Sequence, residues 1–186
     1  AGVFSIADKK NRFRTAGRAI FSNVNYGEGF KSGFQSELDI FRIKGNLRYR
    51  VGHDFANTTI DINDLGVNFR NNFNNFGAGV SYEIFEPTKV FNKYRIGLTA
   101  RHRRLYNPSV QTGNNLNLNS FFITIKRFAF GLNGNLNSKR EDYFEPRVDG
   151  RHVTYASNAG LNGWISTDFR KKFAIDLNAG FRSYFD

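Results

Sequence analysis

Histidine is the first side chain to consider for catalysis or metal binding in this sequence of 186 residues. The three histidines, His53, His102 and His152, are far apart, and none has the spacing of a metal-ligand pair. Cysteine is absent, so the chain can form neither a thiolate metal site nor a disulfide. We therefore expect no metal and no cofactor at these residues.

Carboxylates offer a second possibility, because a pair of them can perform acid–base chemistry on sugars. Glu141, Asp142 and Glu145 lie together in "EDYFEP". Arg140 and Arg147 flank this cluster, which favours ion pairing within a loop. No other catalytic constellation is visible in the sequence, so we predict that the protein is not an enzyme.

Positive charge is the strongest chemical feature of the chain. There are 27 Lys and Arg residues against 16 Asp and Glu, a net charge of +11. In "FRIKGNLRYRV" (41–51), polar and mostly basic residues occupy every second position. Successive side chains of a strand point to opposite faces. The pattern therefore predicts a single strand with one apolar face and one cationic face.

The same alternation recurs along most of the chain, and no helical periodicity is sustained. It predicts a short strand at 3–7 and eight long strands, with Phe121, Ile123 and Ile125 on one apolar face. The segment 23–37 is interpreted as a connection, and "TGNNLNLN" (112–119) as an asparagine-rich loop. The long strands are expected near 12–21, 41–51, 76–84, 93–103, 121–125, 128–132, 161–166 and 173–182.

Strand length favours a membrane protein, because several runs reach about eleven residues. Outer-membrane strands need about 9–11 residues, whereas soluble strands usually have about five or six. Tight connections at 85–90, 126–127 and 169–172 alternate with longer polar ones, which is typical of outer-membrane barrels. The short connection 7–11 and the long one 23–37 do not fit this alternation.

Aromatic residues gather at the predicted strand ends, as in an interfacial girdle. They are Phe21, Tyr26, Phe85, Phe91, Tyr106, Phe128, Phe169, Phe173 and Tyr184. Most aromatics lie on the face opposite to the arginines, with Trp164 and Phe122 as exceptions. An RNA-binding sheet would display them on the charged face, so we expect no nucleic-acid partner.

A barrel with its apolar faces outward would have a basic, lumen-facing wall. An arginine pointing into lipid at mid-depth would cost about 2–4 kcal/mol, which favours the inward orientation. Such a wall would attract anions, although pairing with acidic loops or a plug, without conduction, is an open alternative. The predicted wall comprises Arg12, Arg14, Arg18, Arg42, Lys44, Arg48, Arg50, Arg95, Arg101 and Arg103.

Three motifs carry a resemblance to a known group: "DINDLGV" (61–67), "EDYFEPRVDGR" (141–151) and "STDFRKKFA" (166–174). The sequence resembles, over most of 10–186, the C-terminal barrel region of large uncharacterised Bacteroidota-type outer-membrane proteins. In that group a carbohydrate-binding family 9-like module precedes the barrel. The resemblance implies a barrel fragment of a longer chain, and it transfers neither a catalytic role nor sugar binding to these residues.

The prediction is a single domain over 1–186, an all-β, antiparallel, up-and-down transmembrane β-barrel of about eight or more strands. It is either a whole barrel or a fragment of a larger one, in the outer membrane of a Gram-negative cell. We expect a structural or channel-like protein whose basic lumen passes or binds anionic solutes. The expected partners are outer-membrane lipid, an anionic solute, and other segments of the same barrel or an outer-membrane complex.

Two alternatives remain open at this level. One is a soluble β-sandwich or open barrel that binds a ligand or saccharide. The other is a membrane-anchored scaffold whose loops recruit surface partners.

Overall fold

The computed structural model describes residues 1–25, 27, 29–63, 70–148 and 150–185. These residues form twelve strands and no α-helix, which confirms the all-β prediction. Nothing helical in these ranges could therefore cross a bilayer. The strands are β1 (Gly2–Ala7), β2 (Phe13–Asn25), β3 (Phe30–Arg42), β4 (Leu47–Ala56), β5 (Phe73–Glu83), β6 (Phe91–Arg104), β7 (Gln111–Thr124), β8 (Ala129–Asn137), β9 (Arg140–Asp142), β10 (Val153–Tyr155), β11 (Ser157–Ser166) and β12 (Asp176–Phe185).

Ten of the strands form one antiparallel sheet in the order β1-β2-β3-β4-β5-β6-β7-β8-β11-β12. Neighbouring strands of this sheet follow one another in the chain, apart from β8 and β11, and this order agrees with the predicted up-and-down arrangement. β9 and β10 form a separate two-stranded hairpin between β8 and β11. Within the described ranges, β1 and β12 pair on one side only, and no second large sheet provides the other layer of a sandwich.

The connections are divided between the two ends of the sheet. At one end, called the turn end here, they are 8–12, 43–46, 84–90, 125–128 and 167–175. At the opposite end, called the loop end, they are 26–29, 57–72, 105–110 and 138–156. The two longest connections, 57–72 and 138–156, thus lie at the loop end. The short connection 8–12 lies at the turn end with the other short connections.

The prediction of 23–37 as a connection is wrong, because most of it belongs to β3. This strand pairs with β2 along its whole length, from Phe13 opposite Arg42 to Asn25 opposite Phe30. Phe34, Leu38 and Ile40 alternate as expected for a strand. Serines at 32 and 36 take two positions on the same side and interrupt the apolar pattern.

The segment 41–51 is likewise not one strand. It contains the end of β3 at Arg42, a turn at 43–46 and the start of β4 at Leu47. Gly45 adopts a φ of +88°, a left-handed conformation that glycine tolerates best. The alternation continues through this turn in the sequence, although the residues before and after it belong to different strands.

The pairing register separates two faces, because residues directly opposite each other project to the same side. One row across β2 to β12 is Arg14, Phe41, Arg50, Gly79, Thr99, Asn117, Asn135, Gly160 and Arg182. The adjacent row is Thr15, Ile40, Val51, Ala78, Ala100, Leu116, Leu136, Ala159 and Ser183. We call these two sides the polar face and the apolar face.

The apolar face is left uncovered. The buried apolar cluster is small and comprises Ile20, Ala56 and Ile60, with Ile62 and Phe73 against it. The accessible surface is 12847 Å², whereas a compact monomer of this mass would expose about 9,100 Å². Val51, in the middle of the sheet, is 56% exposed. The described part of the chain therefore offers its aliphatic side chains to something outside itself.

Candidate functional site

Aromatic side chains line the apolar face at the turn end. Phe122 of β7 stacks on Phe130 of β8 with ring centroids 4.8 Å apart. Tyr94 of β6 lies 5.8 Å from Phe122 and 6.0 Å from Tyr82 of β5. These rings form a continuous row across β5 to β8, and Phe91 and Phe128 extend it.

A second group of rings lies on the same face at the loop end. Phe55 meets Tyr106 edge to face at 4.9 Å, and His53 stacks on Phe76 at 4.6 Å. Phe34 of β3 lies 6.2 Å from Phe55. Tyr26, which the sequence also suggested for a girdle, is outside the described residues.

Aliphatic residues fill the band between the two aromatic groups. On β6, Tyr94 and His102 mark its limits, eight residues or about 26 Å apart along the strand. An outer-membrane barrel carries an apolar band about 25 Å tall between aromatic girdles. The band contains Leu38, Ile40, Val51, Val80, Ile96, Leu98, Leu116, Leu118, Leu132 and Leu136.

Seven of the ten predicted wall residues share the polar face. By register these are Arg14, Arg18, Arg48, Arg50, Arg95, Arg101 and Arg103. They come from β2, β4 and β6, and period-two alternation within each strand places them on this side. Whether the face encloses a lumen stays a prediction.

The other three residues lie elsewhere. Arg42 occupies the apolar-face row between Phe13 and Tyr49, so its placement with Arg48 and Arg50 was wrong. The reason is the 43–46 turn, which resets the alternation between the two strands. Arg12 lies in the 8–12 turn and pairs with Asp8 at 3.3 Å. Lys44 lies in the 43–46 turn.

Two of the polar-face arginines are neutralised by acids on neighbouring strands. Arg50 forms a bidentate pair with Asp39, whose side chain is largely buried. Arg18 lies 3.5 Å from Glu37. Other guanidiniums rest on rings instead, as Arg14 does over Phe41 at 4.7 Å. The face is therefore partly, not fully, charge-compensated.

Asparagines cover the other half of the polar face, on β7, β8, β11 and β12. Asn115 donates to Asn137 at 2.7 Å, and Asn137 donates to Asn158 at 2.9 Å. Asn119–Asn133 and Asn162–Asn178 bonds repeat the motif at 2.6 and 2.7 Å. We call this network the amide ladder.

The sequence interpretation missed the amide ladder, because it took 112–119 for a loop. These residues belong to β7. Alternation of Asn115, Asn117 and Asn119 with two leucines was the available signal. The same register corrects the faces further along β7: Phe121 lies on the polar face, 5.7 Å from Trp164, and Phe122 on the apolar face.

A cavity of about 390 Å³ opens on the polar face at the loop end. We call it the loop-end cavity. Arg101 and Arg103 of β6 line it together with Arg140 and Asp142 of β9. A second cavity of about 570 Å³ continues along the face and shares Arg101 and Arg103 with the first.

The acidic cluster at 141–145 makes local contacts beside this cavity. Asp142 accepts backbone hydrogen bonds from Phe144 and Glu145 at 3.0 and 3.2 Å, and lies 3.8 Å from Arg140. Tyr143 donates to Glu141 at 3.2 Å. Burial, and then this hydrogen bond, raise the pKa of Tyr143. Ion pairing within the loop, as predicted, is present.

The histidines are not brought together. His53 and His102 bond to Asn74 and Asn114 at 2.7 and 2.8 Å, and His152 lies against Tyr143. Among the residues with described positions, no cluster of histidine and carboxylate side chains could hold a metal ion.

Comparison with known proteins yields one family. No curated protein and no solved structure matches the chain. The family model described as "Domain of unknown function (DUF5916)" matches residues 1–186. Since this match covers the whole sequence, the chain belongs to the DUF5916 family.

Proposed function

We propose that this sheet spans the outer membrane of a Gram-negative cell as the wall, or part of the wall, of a β-barrel. Its apolar face contacts lipid acyl chains, and its polar face borders a basic aqueous interior that passes or binds anionic solutes. The function is channel-like or structural, not catalytic. The observation that carries the proposal is the aliphatic band between two aromatic groups, on the face opposite to seven arginines.

The energetics of the two faces support this orientation. Seven arginines turned to lipid at mid-depth would each cost about 2–4 kcal/mol. Turned inward, they are hydrated or paired, as Arg50 is with Asp39. Conversely, an aliphatic face this extensive would be costly in water, since exposed apolar area costs about 25 cal/mol per Å².

Closure of the wall requires partners for β1 and β12. In lipid an unpaired edge leaves backbone N–H and C=O groups unsatisfied, so spanning sheets close into barrels. The ten-stranded order places β1 and β12 antiparallel to each other. We propose that they pair directly or through further strands of the same barrel or of an outer-membrane complex.

The resemblance to Bacteroidota-type barrel regions supports the same localisation. The motif at 166–174 lies almost entirely in the connection between β11 and β12. The motif at 141–151 begins within β9 and continues into the connection that follows this strand. Residues 64–67 of the first motif and Asp149 of the second lie outside the described residues. Neither nucleic acid nor a cofactor has a part in the proposal.

Two measurements test the proposal. Membrane fractionation with heat-modifiable gel mobility should place the folded chain in the outer membrane. Planar-bilayer recording should then show conductance that prefers anions. A chain that stays monomeric in water without detergent, or a channel that prefers cations, would contradict it.

A further inference from the structure

The loop-end cavity brings basic side chains from several elements together. Arg101 and Arg103 alternate on β6 and project from the polar face. Arg140 approaches from β9, which lies outside the ten-stranded sheet, and Arg70 reaches the same cavity. Arg101, Arg140 and Arg70 repel the positive charge of Arg103, and Asp142 partly opposes their effect.

Four acids, Glu37, Asp54, Glu141 and Asp142, also line this cavity. Within the described part of the chain, neither Arg101 nor Arg103 forms a salt bridge or a side-chain hydrogen bond. Asp142 is 3.8 Å from Arg140, and its other oxygen is engaged by two backbone amides. Glu37 pairs with Arg18. In the described ranges, Arg101 and Arg103 are thus left without a salt-bridge partner, which leaves a place for an anion.

Aromatic and backbone contacts hold two of these guanidiniums in position. Arg140 lies over the ring of Tyr155 at 4.3 Å, and Arg70 over Phe144 at 5.7 Å. A side chain at Gly113 would come within 3.2 Å of the Arg140 Cγ, so β7 supports the Arg140 stem closely. Side chains held in this way lose little freedom when a ligand binds.

The remaining lining indicates what else the ligand carries. Asp54 and Asn75 are half-buried and lie in the same cross-strand row as Glu37. Their side chains can form hydrogen bonds with hydroxyl groups. Phe73, Leu105 and Phe144 supply apolar contact. A volume of about 390 Å³ is within the range of small-molecule sites, about 300–1,000 Å³.

We propose that the loop-end cavity binds a hydroxyl-bearing organic phosphate, with Arg101, Arg103 and Arg140 around the phosphate group. Guanidinium forks match phosphate oxygens, and a dianion balances several cations where one carboxylate would balance one. This inference names a solute class for the proposed function. It depends on that function only in placing the cavity on the path of a solute. Binding itself can be measured independently.

Isothermal titration calorimetry tests the inference on the full chain, folded in detergent micelles without phosphate buffer. Glycerol 3-phosphate should bind saturably, inorganic phosphate more weakly, and neutral glycerol not at all. Arg103→Gln and Arg140→Gln should each weaken binding of glycerol 3-phosphate by about tenfold or more. Arg95→Gln is the matched control, because Arg95 shares the face and strand of Arg103 but does not line the cavity.

Absence of saturable binding, or an equal loss in Arg95→Gln, would overturn the inference. Arg140→Gln keeps the test decisive if Arg103→Gln fails to fold, since β9 is outside the main sheet. The two proposals fail separately. Anion-selective conductance without binding overturns the phosphate site alone, and binding without conductance overturns the solute path alone.

Discussion

Arg50 on β4 donates two hydrogen bonds to Asp39 on β3, from Nε to Oδ1 at 2.6 Å and from Nη2 to Oδ2 at 2.8 Å. The pair sits on the polar face beside Gly52, one of the buried positions of β4. It is the best-formed cross-strand ion pair that the structure describes on this face. A bidentate arrangement of this kind is strong and directional.

Gly52→Ala should disrupt this pair. A Cβ at position 52 would overlap Asp39 Oδ1, so the carboxylate must leave its place between the strands. We expect the free energy of unfolding to fall by about 1–3 kcal/mol, measured by denaturant titration in micelles. Gly97→Ala is the control, because its Cβ would meet Ser81 at an ordinary 3.6 Å. Equal effects of the two substitutions would refute the explanation.

Leu98→Arg and Thr99→Arg should separate the two faces of β6. Leu98 lies in the aliphatic band, and Thr99 is the next residue, on the polar face. In lipid, Leu98→Arg should cost about 2–4 kcal/mol, whereas Thr99→Arg faces an aqueous interior and should cost much less. The yield of the heat-modifiable folded species after refolding into vesicles measures the difference. Similar yields for both variants would argue against a lipid-facing band.

Asn137→Ala should weaken the amide ladder at its centre. Asn137 accepts from Asn115 and donates to Asn158, so its removal deletes two bonds between half-buried amides. Each of the two neighbours then keeps only local bonds to a residue two positions away in the chain. We expect a loss of about 1–3 kcal/mol in unfolding free energy. Asn178→Ala, which removes a single exposed bond to Asn162, should cost less. A ladder that contributes nothing would show no difference between these variants.

The 167–175 turn should respond to acid through Asp168. Arg170 holds its carboxylate with side-chain bonds at 2.8 and 2.6 Å, and these bonds lower the pKa of Asp168 far below its ordinary 3.8. Because the folded-state pKa is depressed, the ionised carboxylate stabilises the turn above the unfolded-state value. That contribution is lost as the pH falls through the folded-state value.

An NMR titration of the Asp168 side chain measures this pKa. Arg170→Gln should return it most of the way to the ordinary value. Arg127→Gln should change it only slightly, since Arg127 is the last and weakest of its causes. A normal titration of Asp168 in the parent chain would contradict the assignment.

Local patterns were reliable where a strand was continuous. Arg101 and Arg103, two residues apart on β6, could be assigned to one face from the sequence, because the pleat turns every second side chain to the same side. Arg42 could not be assigned, because nothing in the alternation marks Gly45 as the centre of a turn. β3 was hidden for a related reason, since its serines at 32 and 36 interrupt the apolar pattern while the strand continues.

The sequence by itself determined the all-β class, the separation of apolar from basic side chains, and the absence of clustered histidines. Only the tertiary structure decided which strands pair, that asparagines from four strands join in the amide ladder, and that Arg140 meets Arg103 across the loop-end cavity. The physical reason is the separation along the chain of the residues that interact. Alternation follows from the geometry of a single strand, whereas register and cavities depend on hydrogen bonds between segments distant in the chain.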